Sequence, residues 1–297
     1  MTLRHLTSIH DLDERAIVAL LDRSAQMERD PAAVEELLDG RIVCAAFFEP
    51  STRTRLSFEA AAHRLGARVI GFSDPATTSS AKGETLEDTV RMLSGYADLV
   101  VMRHPLKGAA ERARAVASVP IVNAGDGPGE HPTQTLLDLY TMRKHKGKLD
   151  GLKVGLVGDL KHGRTVHSLV PALLKMGAKP MSIAAPGLEL PKELAAKAPS
   201  ATLDEAAASC DVLYVTRIQK ERFDDAKEYD AIKGHFRIDA DLLTRTKSRA
   251  IVLHPLPRVD EIATDVDVLP AAKYFDQARS GVPVRMAVLA SLLEGGL

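Results

Sequence analysis

Short apolar runs alternate with longer segments of helical period along almost the whole chain, and this alternation leaves little choice of fold class. The first four strand candidates are Ile42–Phe48, Arg68–Phe72, Leu99–Met102 and Pro120–Val122, with helical stretches at Leu56–Leu65, Leu86–Tyr96 and Ala109–Val116 between them. Four more follow at Lys153–Val157, Met181–Ala184, Val212–Val215 and Ala250–Leu253, again separated by helical sequence. The runs are continuous and rich in Val and Ile, as strands are when helices cover both faces of a parallel sheet. A length of 297 residues accommodates two such sets as two domains. The expected fold is therefore α/β with two lobes, each a mostly parallel sheet flanked by helices. A charged segment at 144–151 (KHKGKLDG) marks the seam. The domains are expected at 1–147 and 148–283, with the first completed by a C-terminal helix at 284–297 that follows Gly281–Val282–Pro283.

Composition narrows the function classes. With 7 Phe, 5 Tyr and no Trp the cores must be aliphatic, and stacking platforms for bases are scarce. Lys+Arg 39 against Asp+Glu 40 removes the global positive field that nucleic acid or an anionic membrane surface would favour, so neither is an expected partner. Cys44 and Cys210 stand far apart in apolar runs, with no CxxC pair and no disulfide framework, which fits a reducing, cytoplasmic setting. No apolar stretch approaches the ~18 residues of a membrane span, and the first residues lack the apolar core of an export signal.

Polar clusters fall where strands end: Glu49–Arg55, Arg103–His104, Asp126–Gln134, Asp159–Arg164, Thr216–Arg222 and His254–Arg258. Loops are polar in general, but ligands of open α/β sheets bind outside the carboxyl ends of strands, and six such clusters predict one cleft between the lobes.

Ser51-Thr52-Arg53-Thr54-Arg55 joins a buried strand to a helix, where unpaired N–H groups make an anion cradle. One hydroxyl suffices for a cap, so three hydroxyls and two guanidiniums exceed what capping needs. The GxxxxGK[ST] pattern is missing, which favours a small phosphate compound over a nucleotide. Arg103, at a strand end, offers a planar fork for phosphate and carbonyl oxygens. His131 and Gln134 stand three apart at a helix start, able to face one point; the histidine can donate to an oxyanion and the amide can read an NH₂ group. The polar stretch 77–84 carries Lys82 and by itself reads as a solvated loop.

In the second half, the turn at 154–164 has the wrong spacing for a dinucleotide site, and Lys161 and Arg164 would obstruct a pyrophosphate. Arg164, Arg217 and Gln219 instead suit a dicarboxylate. His254-Pro255-Leu256-Pro257-Arg258 offers carbonyl oxygens to an amide or amine donor, and one of its X–Pro bonds is a candidate for the cis form.

Taken together, FFEPSTRTRLSFE, AKGETLEDT, VMRHP, NAGDGPGEHPTQTLLDL, VGDLKHGRTVHSL, YVTRIQKERF and HPLPRVDEI closely resemble the catalytic chains of the aspartate carbamoyltransferase family, in family order over nearly the whole chain. STRTR with HPTQ is shared by carbamoyltransferases at large, whereas GDLKHGRTVHSL, TRIQKER and HPLPRVDEI point to the aspartate branch. The resemblance implies transfer of a carbamoyl group from carbamoyl phosphate to L-aspartate in pyrimidine synthesis, without metal or organic cofactor. By similarity Ser51, Thr52, Arg53 and Thr54 hold the phosphate with Arg103 and with Lys82 from a neighbouring subunit. Thr54, Arg103 and His131 surround the carbamoyl oxygen, while Gln134 and the carbonyls of Leu256 and Pro257 accept from its NH₂. Arg164, Arg217 and Gln219 take the aspartate carboxylates, with Lys82 shared by both substrates. Glu49 would bridge to Arg164 and Arg222 on domain closure. The stretch before Lys82 is one residue shorter than in several family members, leaving open whether Thr78, Ser79 or Ser80 meets the neighbour's site. A homotrimer with shared active sites is implied, and the sequence leaves open whether regulatory chains or other pyrimidine-pathway enzymes dock on it.

Two other readings compete. An ornithine carbamoyltransferase would want an acidic or thiol-bearing pocket for a basic side chain, where this chain offers Arg164, Arg217 and Gln219 and has proline in the HPLP turn. A non-catalytic scaffold of the same fold would have no need of Arg53, Lys82, Arg103, His131 and Arg164 together.

Overall fold

A computed structural model gives the structure of the chain and describes residues 3–218 and 236–295, apart from the Ser80 side chain. The chain forms two compact units: the chain up to Tyr140 together with that from Ser280, and Thr141–Arg279. The division falls inside two helices, after Tyr140 and after Arg279.

In the first unit four strands, β1 (Ile42–Phe47), β2 (Arg68–Phe72), β3 (Leu99–His104) and β4 (Ile121–Asp126), pair in the order β2-β1-β3-β4, all parallel. Helices α1 (Glu14–Arg29), α2 (Thr52–Arg64), α3 (Leu86–Ser94), α4 (Ala109–Val116) and α5 (Pro132–Lys146) accompany them. Helix α1 starts where Asp13 accepts from the Ala16 amide at 2.7 Å, and its face of Ala16, Ile17, Leu20, Leu21 and Met27 is buried. Cys44, Ala46, Val100 and Met102 of the central strands pack with Val90 of α3 and Ala113 of α4.

The two sheet edges differ. Beyond β4, Leu6 continues the ladder, donating to Ile121 O and accepting from the Asn123 amide at 2.9 and 2.8 Å. Among the described residues, none pairs with the outer side of β2. Its residues are exposed or half-buried throughout, and Ile70 is exposed, as is Leu56 on α2. Coverage of both faces, expected for every strand, fails at this one.

The second unit repeats the plan with β5 (Lys153–Gly158), β6 (Lys179–Ala184), β7 (Val212–Val215) and β8 (Ile251–Leu253), all parallel in the order β6-β5-β7-β8. Helices α6 (Arg164–Lys175), α7 (Lys192–Ala195), α8 (Leu203–Ser209) and α9 (Ala240–Arg245) follow the strands. Val157, Leu213 and Val252 form a core with Leu242 and Tyr274.

The last helix, α10 (Tyr274–Leu293), begins ten residues before the expected Val284 and runs through Gly281, Val282 and Pro283. A proline inside a helix forfeits one backbone hydrogen bond, a local penalty that burial can outweigh. Here Val284, Met286, Ala287, Val288, Leu289 and Ala290 are all buried. Among the described residues no helix is long and apolar enough to cross a membrane. Both cysteines are free and buried, and burial pushes the Cys44 thiol up to about 12.

Candidate active site

In each sheet the strand order reverses between the first strand and its third-strand neighbour, and in open α/β sheets such a switch point is where ligands bind, outside the carboxyl ends of the strands. In the first unit β1 and β3 are those strands, and the residues leaving them are Phe48–Thr54 and Arg103–His104.

Ser51 is the N-cap of α2 in extended conformation, yet its hydroxyl does not cap the helix. The first-turn N–H groups and the hydroxyl thus remain an anion cradle. Arg53 is exposed and, among the described residues, its side chain makes no hydrogen bond or ion pair. Partial burial lowers its pKa, but a guanidinium keeps its charge at neutral pH. Thr54, one turn in, is buried, and its Oγ1 lies 3.5 Å from His131 Nε2. His131 immediately precedes α5, its carbonyl accepts from the Gln134 amide at 3.0 Å, and both side chains are buried. The loop before it is tied down by Asp126, which accepts from the amides of Glu130 and Gly108 at 2.6 and 2.8 Å.

Arg103 is the penultimate residue of β3 and pairs in register with Phe47 of β1. Its side chain is only 12% exposed and forms an ion pair with Glu49, just beyond β1. The pair crosses the switch point itself. Sequence periodicity gives no sign of it, because the partners are 54 residues apart. Beside them His104 packs on Phe48, and burial, with Arg112 nearby, lowers its pKa.

Lys82 ends a short 3₁₀ turn, Ser79–Lys82, preceded by another at Pro75–Thr77, so the stretch read as a loop is locally folded. Lys82 is exposed. Within the first unit, strand pairing and helix starts thus bring Thr54 to His131 and Arg103 to Glu49, with Ser51 at the start of α2, Gln134 in the first turn of α5 and Lys82 on a turn of its own.

In the second unit β5 and β7 are the switch-point strands. Arg164 is the first residue of α6 after β5, and Arg217 lies two residues beyond β7; both are half-buried. Asp159, wholly buried, holds the β5 turn by accepting from the His162 amide at 3.0 Å. Gln219 and Arg222 lie outside the described residues.

After β8, the Leu256–Pro257 bond is cis and Leu256 has φ 57°. The buried His254 ring organises this turn. Its Nδ1 accepts from the Leu256 amide at 2.7 Å, so the proton sits on Nε2, which donates to Glu261 at 2.7 Å. The other Glu261 oxygen accepts from the amides of Val259 and Asp260, both at 3.1 Å. Burial on its own would raise the Glu261 pKa, but these hydrogen bonds overcome it and the pKa is lowered. Since the folded pKa lies below the unfolded one, the contribution is complete above the ordinary carboxylate value of about 4.3 and fades as pH falls through the folded value. Glu261→Gln should therefore cost about 1–3 kcal/mol at pH 7. Its deficit against the parent should narrow in denaturation curves taken at acid pH; a deficit independent of pH would sink the account.

Glu261 and Asp138, which bonds Gln134, were not singled out by sequence. The only signal for Asp138 is its i+4 spacing from Gln134 on α5. Among the described residues no group of three or more His, Cys, Asp or Glu side chains gathers as a metal site.

Known proteins share this plan along the whole chain. Residues 4–144 match the family of the aspartate/ornithine carbamoyltransferase carbamoyl-P binding domain, and residues 150–292 that of the Asp/Orn binding domain. The aspartate carbamoyltransferase catalytic subunit of Archaeoglobus fulgidus is 50% identical over 298 residues, covering 98% of this chain and 99% of the relative. Aspartate transcarbamoylase from Trypanosoma cruzi, solved with carbamoyl phosphate, superposes with TM-score 0.91 at 44% identity, over 98% of this chain and 96% of that one. The same enzyme solved with N-(phosphonacetyl)-L-aspartic acid gives TM-score 0.91 at 43% identity over the same shares. The chain belongs to the aspartate carbamoyltransferase family.

Proposed function

We propose that this chain transfers the carbamoyl group of carbamoyl phosphate to the α-amine of L-aspartate, giving N-carbamoyl-L-aspartate and phosphate in de novo pyrimidine biosynthesis in the cytoplasm. The observation that carries the reading is the cradle at the β1/β3 switch point: an N-cap serine not used as a cap, beside Arg103 and the Thr54–His131 pair. The neutral amine attacks the carbamoyl carbon, building negative charge on the carbonyl oxygen, where Thr54, Arg103 and His131 supply donors. The C–O bond to phosphate then breaks, and its charge is taken up by Ser51, Thr52, Arg53, Thr54 and the start of α2. The departing phosphate takes the proton from the amine, so neither a protein nucleophile nor a carboxylate base is required. Gln134 with the carbonyls of Leu256 and Pro257 holds the NH₂, and Arg164, Arg217 and Gln219 hold the carboxylates of aspartate. The first unit is thus the carbamoyl phosphate-binding domain and the second the aspartate-binding domain.

Glu49 is engaged by Arg103 in this structure. A phosphate dianion is a stronger partner for that guanidinium, and its arrival frees Glu49 to meet Arg164 and Arg222 in domain closure. The uncovered β2 edge with Leu56 and Ile70 supports a homotrimer, which would bring Lys82 to a neighbour's site. The name catalytic subunit, carried by the relatives, supports assembly with regulatory chains or other pathway enzymes.

Incubating the protein with carbamoyl phosphate and either aspartate or ornithine tests the reaction. Carbamoylated aspartate alone is the expected product; preference for ornithine, or no product with either, refutes it. Mass photometry of the active protein should give three times the 32.0 kDa chain mass, and full activity in a monomer would overturn the shared site.

A further inference from the structure

Asp138 is wholly buried on α5, and its Oδ1 accepts from Gln134 Nε2 at 2.8 Å. An ionised carboxylate can only accept, so it draws the nitrogen end of that amide and leaves the oxygen end facing away. A protonated carboxyl could donate instead and would tolerate the amide either way round. The charge state of Asp138 therefore decides what Gln134 presents.

The same unit supplies a counter-charge. Arg285 of α10 is 3% exposed, and its guanidinium lies over the Phe58 ring of α2 at 4.9 Å. Gly281, one turn earlier, makes room for it, since a Cβ there would come within 2.3 Å of Nη1. Burial lowers the Arg285 pKa to about 10, opposed by the charge of Asp138, so the cation persists at neutral pH. A buried cation and a buried anion each reduce the penalty of the other's desolvation.

We propose that Asp138, as the hydrogen-bond acceptor for Gln134 Nε2, is a positioning residue that fixes the amide of Gln134 with its oxygen toward the substrate, so that the site selects a carbamoyl group over an acyl group of the same shape. The proposal rests on Gln134 being the acceptor for the carbamoyl NH₂. A flipped amide would set NH₂ against NH₂, losing the acceptor. Acetyl phosphate, with methyl in place of that NH₂, gains nothing from the oriented oxygen, and a site built to accept from an N–H rejects an analogue that lacks it.

Asp138→Asn keeps the shape but can donate or accept, which releases the amide. The KM for carbamoyl phosphate should rise about tenfold, the value of one hydrogen bond, while the competitive inhibition constant of acetyl phosphate moves by less than about twofold. A purely structural role would weaken both ligands by the same factor, and that result, or no change in either, overturns the proposal. Should the buried Arg285 charge unfold the single variant, Asp138→Asn with Arg285→Met removes both charges and must show the same loss of discrimination. Failure of both variants to fold would mark Asp138 as structural and also overturn it. An unaltered protein that transfers no carbamoyl group would count against the functional reading itself, a distinct outcome.

Discussion

Replacing Arg103 with alanine should lower kcat by at least about 10²–10³, the loss that follows removal of one donor to a developing oxyanion. The expectation follows from position. Arg103 lies at the end of β3, in register with β1, so strand pairing brings its guanidinium to the loop that holds Ser51–Thr54. At 12% exposure the group is poorly screened by water, and its interaction with nascent charge is correspondingly strong. Glu49 pairs with it in this structure, which holds the fork in place without satisfying all five donors. Charge builds on the carbonyl oxygen only as the amine attacks, so the loss should fall on kcat and not on KM alone, although the same guanidinium's contact with the phosphate should also raise the KM for carbamoyl phosphate. Arg103→Lys keeps the charge but not the planar fork and should fall between alanine and the parent. Steady-state assays with both substrates saturating decide the matter, and near-normal turnover in the alanine variant would contradict the arrangement.

Most of this framework could be read from covalent neighbours, because period and composition are local quantities. Lys153–Val157, Met181–Ala184 and Val212–Val215 each fall within or coincide with an observed strand, and Ala109–Val116 is α4. β3 and β4 continue beyond their apolar runs to His104 and Asp126, since backbone pairing does not stop where side chains become polar. The start of α10 was misplaced because Gly281 and Pro283 read as a break when only propensity is weighed. Burial of the following turns could not be seen in the sequence. The same limit hid Glu49–Arg103 and the placing of Arg285 over Phe58, contacts between distant residues that exist only once the sheet and helices are assembled. Local sequence therefore named the groups proposed to touch anions, and tertiary structure was needed to find those that hold them in place.

Gly158→Ala should strongly destabilise the second unit. Gly158 ends β5 with φ +116°, and an added Cβ would lie 2.1 Å from the backbone oxygen of Thr216, just beyond β7. No rotamer relieves a clash between Cβ and backbone, so the strand ends must separate, breaking the Thr216 amide's 2.8 Å bond to Val157 O. Backbone strain and the lost hydrogen bond together should cost at least about 3 kcal/mol. Gly187→Ala separates the clash from the strain. Gly187 also has a positive φ, +84°, but no atom lies within 4 Å of its hypothetical Cβ, so only the left-handed penalty of about 1–2 kcal/mol applies. Urea denaturation of the two variants should therefore give clearly unequal losses. Where Gly158→Ala remains folded, the displaced β7 end carries Arg217 with it and should raise the KM for aspartate while leaving the affinity for carbamoyl phosphate near that of the parent. Equal destabilisation by the two alanines would show that the approach of β5 to Thr216 is not what requires glycine at 158, and an unchanged KM for aspartate would separate Arg217 from the substrate it is proposed to hold.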